Sequence, residues 1–194
     1  HIGGESLVEQ HQRNSLTRGL KNCHDDDLII LSDVDEIPDL NKLQLFEKKN
    51  RYAVFSQRMF NYKINLLNET ENNWFGSKMC LKKNLKSPQW LRNLKFKKYP
   101  FWRIDKQRKI QIIENGGWHF AYLQTPENIS KKIKSFAHGE FNKAHFINEE
   151  NIKKKISMGK DIFDRGVNYR KVQLDNSFPK YIIDNKEKFK DWII

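Results

Sequence analysis

Cysteine is nearly absent from this chain of 194 residues: Cys23 and Cys80 are the only two. Thiols so far apart in sequence form neither a metal-ligand spacing nor a disulfide framework. Free thiols are expected, with a single disulfide as the lesser alternative. Long apolar runs are missing too. None approaches the roughly 18 residues that a membrane span needs. No secretory signal is visible, and the chain opens on His1 rather than Met. Proline and glycine are sparse, at 5 and 9 residues, and no low-complexity linker or internal repeat breaks the chain. One domain over residues 1–194 is the expectation.

Acids are the scarcer charge, 24 against 36 Lys and Arg, which leaves a net +12 and a pI of about 9.6. Such a balance suits nucleic acid, an anionic membrane surface or anionic substrates. The basic residues are spread along the chain, with local clusters at Lys82-Lys83, Lys95 to Lys98 and Lys153 to Lys155. None interleaves with aromatics as a single-strand binding groove does. Most read as solvated faces, and no nucleic-acid partner is expected.

What the chain does have is a core-forming fraction of 38% hydrophobic residues, 12% aromatic, under a mean hydropathy of -0.82. That combination predicts a soluble globular protein with a wet surface. Glu5 to Leu20 suits a helix with Val8, Leu16 and Leu20 on one stripe, and Leu28 to Ser32 reads as a strand. Pro38 fits a first helical position ahead of Leu40, Leu43 and Phe46. Tyr52 to Gln57 and Phe60 to Ile64 read as two further strands, 65–73 as a loop, and Trp74 to Leu81 as a strand. Residues 82–100 resist assignment. Lys109 to Ile113 and Trp118 to Leu123 read as strands around the Asn115-Gly116-Gly117 turn. Thr125-Pro126-Glu127 opens a helix whose buried face carries Ile129, Ile133 and Phe136. Asn148 opens another, and Pro179 to Trp192 closes the chain with short helical segments.

The segment with the most chemistry is Leu28-Ile29-Ile30-Leu31-Ser32-Asp33-Val34-Asp35-Glu36-Ile37-Pro38. An apolar run the length of one buried strand ends in three carboxylates within four positions. Crowded carboxylates are costly unless something cationic sits among them, and a hard divalent cation shared with phosphate is the usual answer. Ligands of α/β proteins also gather at the carboxyl ends of strands. If the strand continued, Asp33 and Asp35 would share one face with Val34 opposite. A solvated acidic turn is the alternative.

The order of motifs along the chain resembles glycosyltransferase family 17, which includes β-1,4-mannosyl-glycoprotein N-acetylglucosaminyltransferases. The resemblance rests on Glu9-x-x-Gln12-Arg13-Asn14 with Gly19-Leu20, then the apolar strand with Asp33-x-Asp35-Glu36-Ile37-Pro38. Gly117-Trp118-His119, Thr125-Pro126-Glu127, Ser135 to Phe141 and Pro179-Lys180-Tyr181 follow in sequence. The resemblance implies an α/β, GT-A-like nucleotide-diphospho-sugar transferase fold and metal-dependent inverting transfer from a UDP-sugar to a glycan, polysaccharide or lipid-linked acceptor. N-acetylglucosamine is the family's best-known sugar. Only 32 residues precede Asp33, whereas such folds place nucleotide-binding units first. The N-terminal βα units are therefore expected to be lacking, and with them tight nucleotide binding. A cytoplasmic or inner-membrane-peripheral location is expected for a bacterial or viral protein, and the Golgi lumen for a eukaryotic one.

The resemblance also suggests roles. Asp33 and Asp35 would hold Mn²⁺ or Mg²⁺, with Asp33 also near the ribose and His119 as a further metal or diphosphate ligand. Arg13, ahead of Lys132, would support the diphosphate, and Trp118 would stack on a sugar or fill the core. The base is open between Glu140 and Glu36, with Glu114 third and Glu36 equally able to orient the loop before Pro38. Two other readings compete: a haloacid-dehalogenase-type phosphatase with Asp33 as nucleophile, and a basic nucleic-acid-binding domain.

Overall fold

The computed structural model describes residues 7–95, 102, 107, 110–135 and 144–194. In chain order they form α1 (Leu7–Asn14), β1 (Leu28–Leu31), β2 (Glu36–Pro38), β3 (Tyr52–Asn61), β4 (Leu66–Asn68) and β5 (Asn73–Leu81). After these come α2 (Pro88–Arg92), β6 (Ile110–Ile113), β7 (Gly117–Ala121), α3 (Pro126–Ser135), α4 (Ala144–Ile147), α5 (Glu149–Ser157), β8 (Tyr169–Lys171) and α6 (Lys180–Asp184). The protein is mixed α/β, as expected. The chain divides into two compact units, residues 1–56 with 75–117, and residues 57–74 with 118–194.

In the first unit β1 runs antiparallel to β5, with Leu28 opposite Leu81 and Leu31 opposite Lys78. The first half of β3 runs parallel to β6, Tyr52 to Phe55 beside Ile110 to Ile113. Tyr52, Cys80, Leu91 and Leu94 make one core cluster; Ala53, Phe55, Met79 and Ile113 make a second. Cys23 and Cys80 are both free thiols, and burial pushes the Cys80 thiol up to about 11, so it is inert packing.

In the second unit β7 runs parallel to the end of β3, with Met59 opposite His119. β4 pairs antiparallel with β3 and with β8. The expected buried face of α3 is present: Ile129 and Ile133 are fully buried with Tyr62, Leu66, Ile152 and Ile156. Thr125 caps that helix by accepting the Asn128 N–H at 3.3 Å, and Asn148 caps α5 through Asn151 at 2.9 Å. Phe136 lies outside the described residues.

An ion pair with its carboxylate buried and its guanidinium open to water ties residues of this unit together. The Asp161 carboxylate accepts Arg165 Nε and Nη2 at 3.0 Å each and the Tyr62 hydroxyl at 3.1 Å. Burial works to raise the Asp161 pKa, but the Arg165 hydrogen bonds outweigh it and hold it below the ordinary 3.8. A depressed carboxylate stabilises the fold above its unfolded pKa, and that contribution is lost as pH falls through the folded value. Asp161→Asn is expected to cost about 1–2 kcal/mol at neutral pH, a modest figure because Arg165 keeps access to water. Urea unfolding at neutral pH and in acid well below pH 3.8 checks it: the gap between wild type and variant should close as pH falls through the depressed Asp161 value.

Three local outcomes differ from the sequence expectation. The helix at the start stops at Asn14 and continues as a 3-10 segment, Ser15–Leu20. Pro38 ends a short strand, and Asp39 instead caps the 3-10 turn Leu40–Leu45 by accepting the Asn41 N–H. The two strands expected over 52–64 are one ten-residue strand. No helix among the described residues is long and apolar enough to cross a membrane.

Candidate active site

Strand β1 ends at Leu31, where its ladder partner on β5 is Lys78. Beyond that point side chains take over: the Ser32 hydroxyl lies 2.7 Å from that of Ser77, and Ser77 donates to Glu36 Oε2 at 3.3 Å. Asp33 to Glu36 close a turn through the Glu36 N–H to the Asp33 carbonyl at 3.1 Å. Aspartate is favoured at the first position of such turns. The Glu36 carboxylate reaches back to accept the Asp33 N–H at 3.1 Å, and Glu36 is only 5% exposed. Val34 points wholly into solvent. The carboxylates thus stand on a turn rather than on one strand face.

Asp33 is engaged by a cation of the protein itself. Arg92 donates from Nε to Asp33 Oδ2 at 2.9 Å, and its Nη2 makes an ion-pair contact with the same oxygen at 2.8 Å. Arg92 is the last residue of α2, which starts where the Ser87 hydroxyl accepts the Trp90 N–H and Pro88 takes the first turn. Lys78, buried in β5, donates to the Arg92 carbonyl. On the other side α2 is joined to α1: Arg13 Nη1 donates to Gln89 Oε1 at 3.2 Å. Asn14 Oδ1 accepts the Gln89 N–H, also at 3.2 Å.

The other expected residues fall elsewhere. Gly117 has φ of 139°, and a Cβ there would stand 2.1 Å from the Ile37 carbonyl oxygen. The glycine pair therefore makes its close approach to the exit of the acidic turn. His119 belongs to the second unit, 6% exposed, stacked on Trp74 with ring centroids 4.5 Å apart. Trp118 is half-buried against the Phe60–Phe120 cluster and donates its indole N–H to the Ser177 carbonyl at 3.0 Å. Lys132 sits 4.8 Å over the Tyr122 ring, and Glu114 is exposed. Glu140 lies outside the described residues. Among the described residues no three His, Cys, Asp or Glu side chains gather as a metal cage.

The profile of glycosyltransferase family 17 matches residues 5–193, nearly the whole chain. The chain belongs to glycosyltransferase family 17. That membership favours sugar transfer over the phosphatase and nucleic-acid readings, since the match takes in the acidic turn together with the α1, glycine-pair and α3 segments. No curated protein and no solved structure matches it.

In this glycosyltransferase neither Arg92 nor Lys78 announces its role in the sequence. A signal for α2 was present in Ser87-Pro88 followed by Trp90 and Leu91, a cap, a first-turn proline and an apolar face. Nothing local pairs Arg92 with a residue 59 positions earlier.

Glu36 has a structural task whatever else it does. Glu36→Ala removes the acceptor of the Asp33 N–H and of the Ser77 hydroxyl. It is expected to cost about 2 kcal/mol, and Glu36→Gln less, because an amide oxygen still accepts. Denaturant midpoints of the two variants check the order.

Proposed function

We propose that this glycosyltransferase is a metal-dependent, inverting enzyme of the GT-A type. It moves a sugar, with N-acetylglucosamine the candidate, from a UDP-sugar to a glycan acceptor. The observation that supports the reading is the closed turn at the end of β1, which carries both Asp33 and Asp35 in its sequence and is locked by Glu36.

The donor set fits Mn²⁺ or Mg²⁺, since both side chains are hard oxygen donors. Such ions take one or two carboxylates and draw remaining ligands from phosphate oxygens and water. Bound there, the cation would neutralise the leaving diphosphate as a Lewis acid. Asp35 is the principal ligand of this reading, with Asp33 as the second; His119, the further ligand that the resemblance suggests, belongs to the second unit and stacks on Trp74 there. Arg13 acts at a distance, since its guanidinium holds Gln89. Trp118 belongs to packing more than to sugar stacking, with its N–H committed to Ser177. Of the acids considered as base, Glu140 is retained and Glu36 becomes a positioning residue, because its carboxylate is used inside the turn.

The test is release of UDP from a panel of UDP-sugars by the full-length protein. Turnover should require Mn²⁺ or Mg²⁺, disappear with chelator and return on adding the ion back. The product should have the opposite anomeric configuration to the donor. Full turnover after chelation would remove the metal from the reading, and retained configuration would remove inversion.

A further inference from the structure

We propose that Arg92 is a resident counter-cation for Asp33, placed by helix α2, which an incoming divalent cation must displace. This rests on the metal reading above and goes beyond it.

Three carboxylates occupy the positions Asp33, Asp35 and Glu36, and Glu36 is buried. A folded turn of that charge is costly without a partner. The guanidinium of Arg92 answers it at a single oxygen, Asp33 Oδ2, through an Nε hydrogen bond at 2.9 Å and an Nη2 ion-pair contact at 2.8 Å. The pair is partly shielded, with side-chain exposures of 26% and 32%. A shielded guanidinium–carboxylate contact is stronger than an open one and keeps its geometry.

Arg92 does not arrive there by its own flexibility. The Lys78 ammonium holds its carbonyl, and Ser87 caps its helix. The other face of α2 is stapled to α1 by Arg13 and Asn14 through Gln89. A chain of contacts therefore runs from Arg13 and Asn14 through Gln89 and α2 to Arg92 and Asp33. It gives the Gln12-Arg13-Asn14 segment a reason to accompany the acidic turn: it sets where the counter-charge stands. Arg92 is a positioning residue for Asp33 in the free protein, and its charge competes with any cation that enters.

Competition fixes the sign of the effect. A positive charge within a few ångströms of a divalent ion, even in a solvent-like dielectric, opposes its binding by about tenfold. Removing that charge should tighten cation binding, whereas a residue that only props up the fold should weaken it when lost.

The experiment is Mn²⁺ titration of the full-length protein without nucleotide, followed by the electron-spin signal of free Mn²⁺, with circular dichroism as the fold check. Arg92→Gln should bind Mn²⁺ about tenfold more tightly than wild type, and Arg92→Lys should stay close to it. In an Asp33→Asn background, Arg92→Gln should give less of that gain. Asn14→Ala leaves both charged partners in place and loosens only α2, so it should tighten binding by about twofold, and it serves if Arg92→Gln does not fold. Unchanged or weaker binding in folded Arg92→Gln, or in Asn14→Ala if it must stand in, overturns the counter-cation role. The metal reading then still stands if Asp35→Asn abolishes Mn²⁺ binding. No Mn²⁺ binding by wild type, with or without UDP, overturns both.

Discussion

Replacing Asp35 with Asn is expected to lower Mn²⁺-dependent transfer at least about a hundredfold, the largest loss in activity of any substitution named here. Expulsion of a nucleoside diphosphate concentrates negative charge on phosphate oxygens, and a divalent ion offsets it by several kcal/mol. Losing about 3 kcal/mol of that stabilisation is a rate factor of about two hundred. Asn keeps the size and one oxygen of Asp35 but not the charge that fixes the ion. The turn survives, because Asp33 and Glu36 close it. Unfolding stability should therefore move by less than about 1 kcal/mol. The useful measurement is kcat and the Mn²⁺ concentration for half-maximal rate, taken together. A rate loss that excess Mn²⁺ partly recovers identifies a ligand. A rate within tenfold of wild type at every Mn²⁺ concentration would take Asp35 out of the metal site.

The contrast with Asp33 sharpens this. Asp33→Asn removes the charge that Arg92 pairs with, so on the proposed reading its effect mixes loss of a ligand with a change at the guanidinium. Asp35 gives the cleaner reading of the metal, and Asp33 reports on the coupling with α2.

What could be read from sequence was whatever is local. The β1 run and its carboxylates announce themselves because a buried strand and an acidic turn are adjacent in the chain. The caps at Thr125 and Asn148 are equally local. Strand β3 is harder, since the polar Gln57-Arg58 step reads as the end of one strand, Tyr52 to Gln57, before Phe60 opens another. Gln57 is in fact fully buried, with its amide 3.4 Å from the Trp118 carbonyl. A central strand buries polar groups when neighbours satisfy them. The same holds over 65–73, expected as a loop. Asn65 is buried and bonds to Val172 and Ile194, and Asn68 receives the N–H groups of Thr70 and Glu71.

Long-range electrostatics left no trace at all. The family motif suggests Arg13 as support for the diphosphate, and nothing in its spacing announces that its guanidinium donates to Gln89. Glu36 had two open roles, and only burial and its partners weigh between them. Neither partner set is implied by spacing. The first-unit site is a three-dimensional assembly of α1, α2, β1 and β5, of which sequence displays only the β1 end.

Gly117→Ala is expected to be the most destabilising of these substitutions, at about 3 kcal/mol. Its φ of 139° is a conformation that side chains rarely adopt. The added Cβ would stand 2.1 Å from the Ile37 carbonyl oxygen and 2.9 Å from both the Asp39 nitrogen and the Pro38 Cα. Every one of these atoms is backbone, so no side chain can swing aside. Gly116 is locked alongside, giving its carbonyl to the Asp39 N–H at 2.8 Å. The segment that would have to retreat, Ile37 to Asp39, leaves directly from the acidic turn, so lost stability and lost activity should appear together. Gly19 supplies the control: it belongs to another family segment, but a Cβ there meets nothing within 4 Å. Gly19→Ala should stay within about 0.5 kcal/mol of wild type in denaturant unfolding. Equal behaviour of the two variants would mean that the glycine pair does not set the backbone path out of the turn. A large loss confined to Gly117 would place the demand for glycine at the point where the protein fixes its carboxylates.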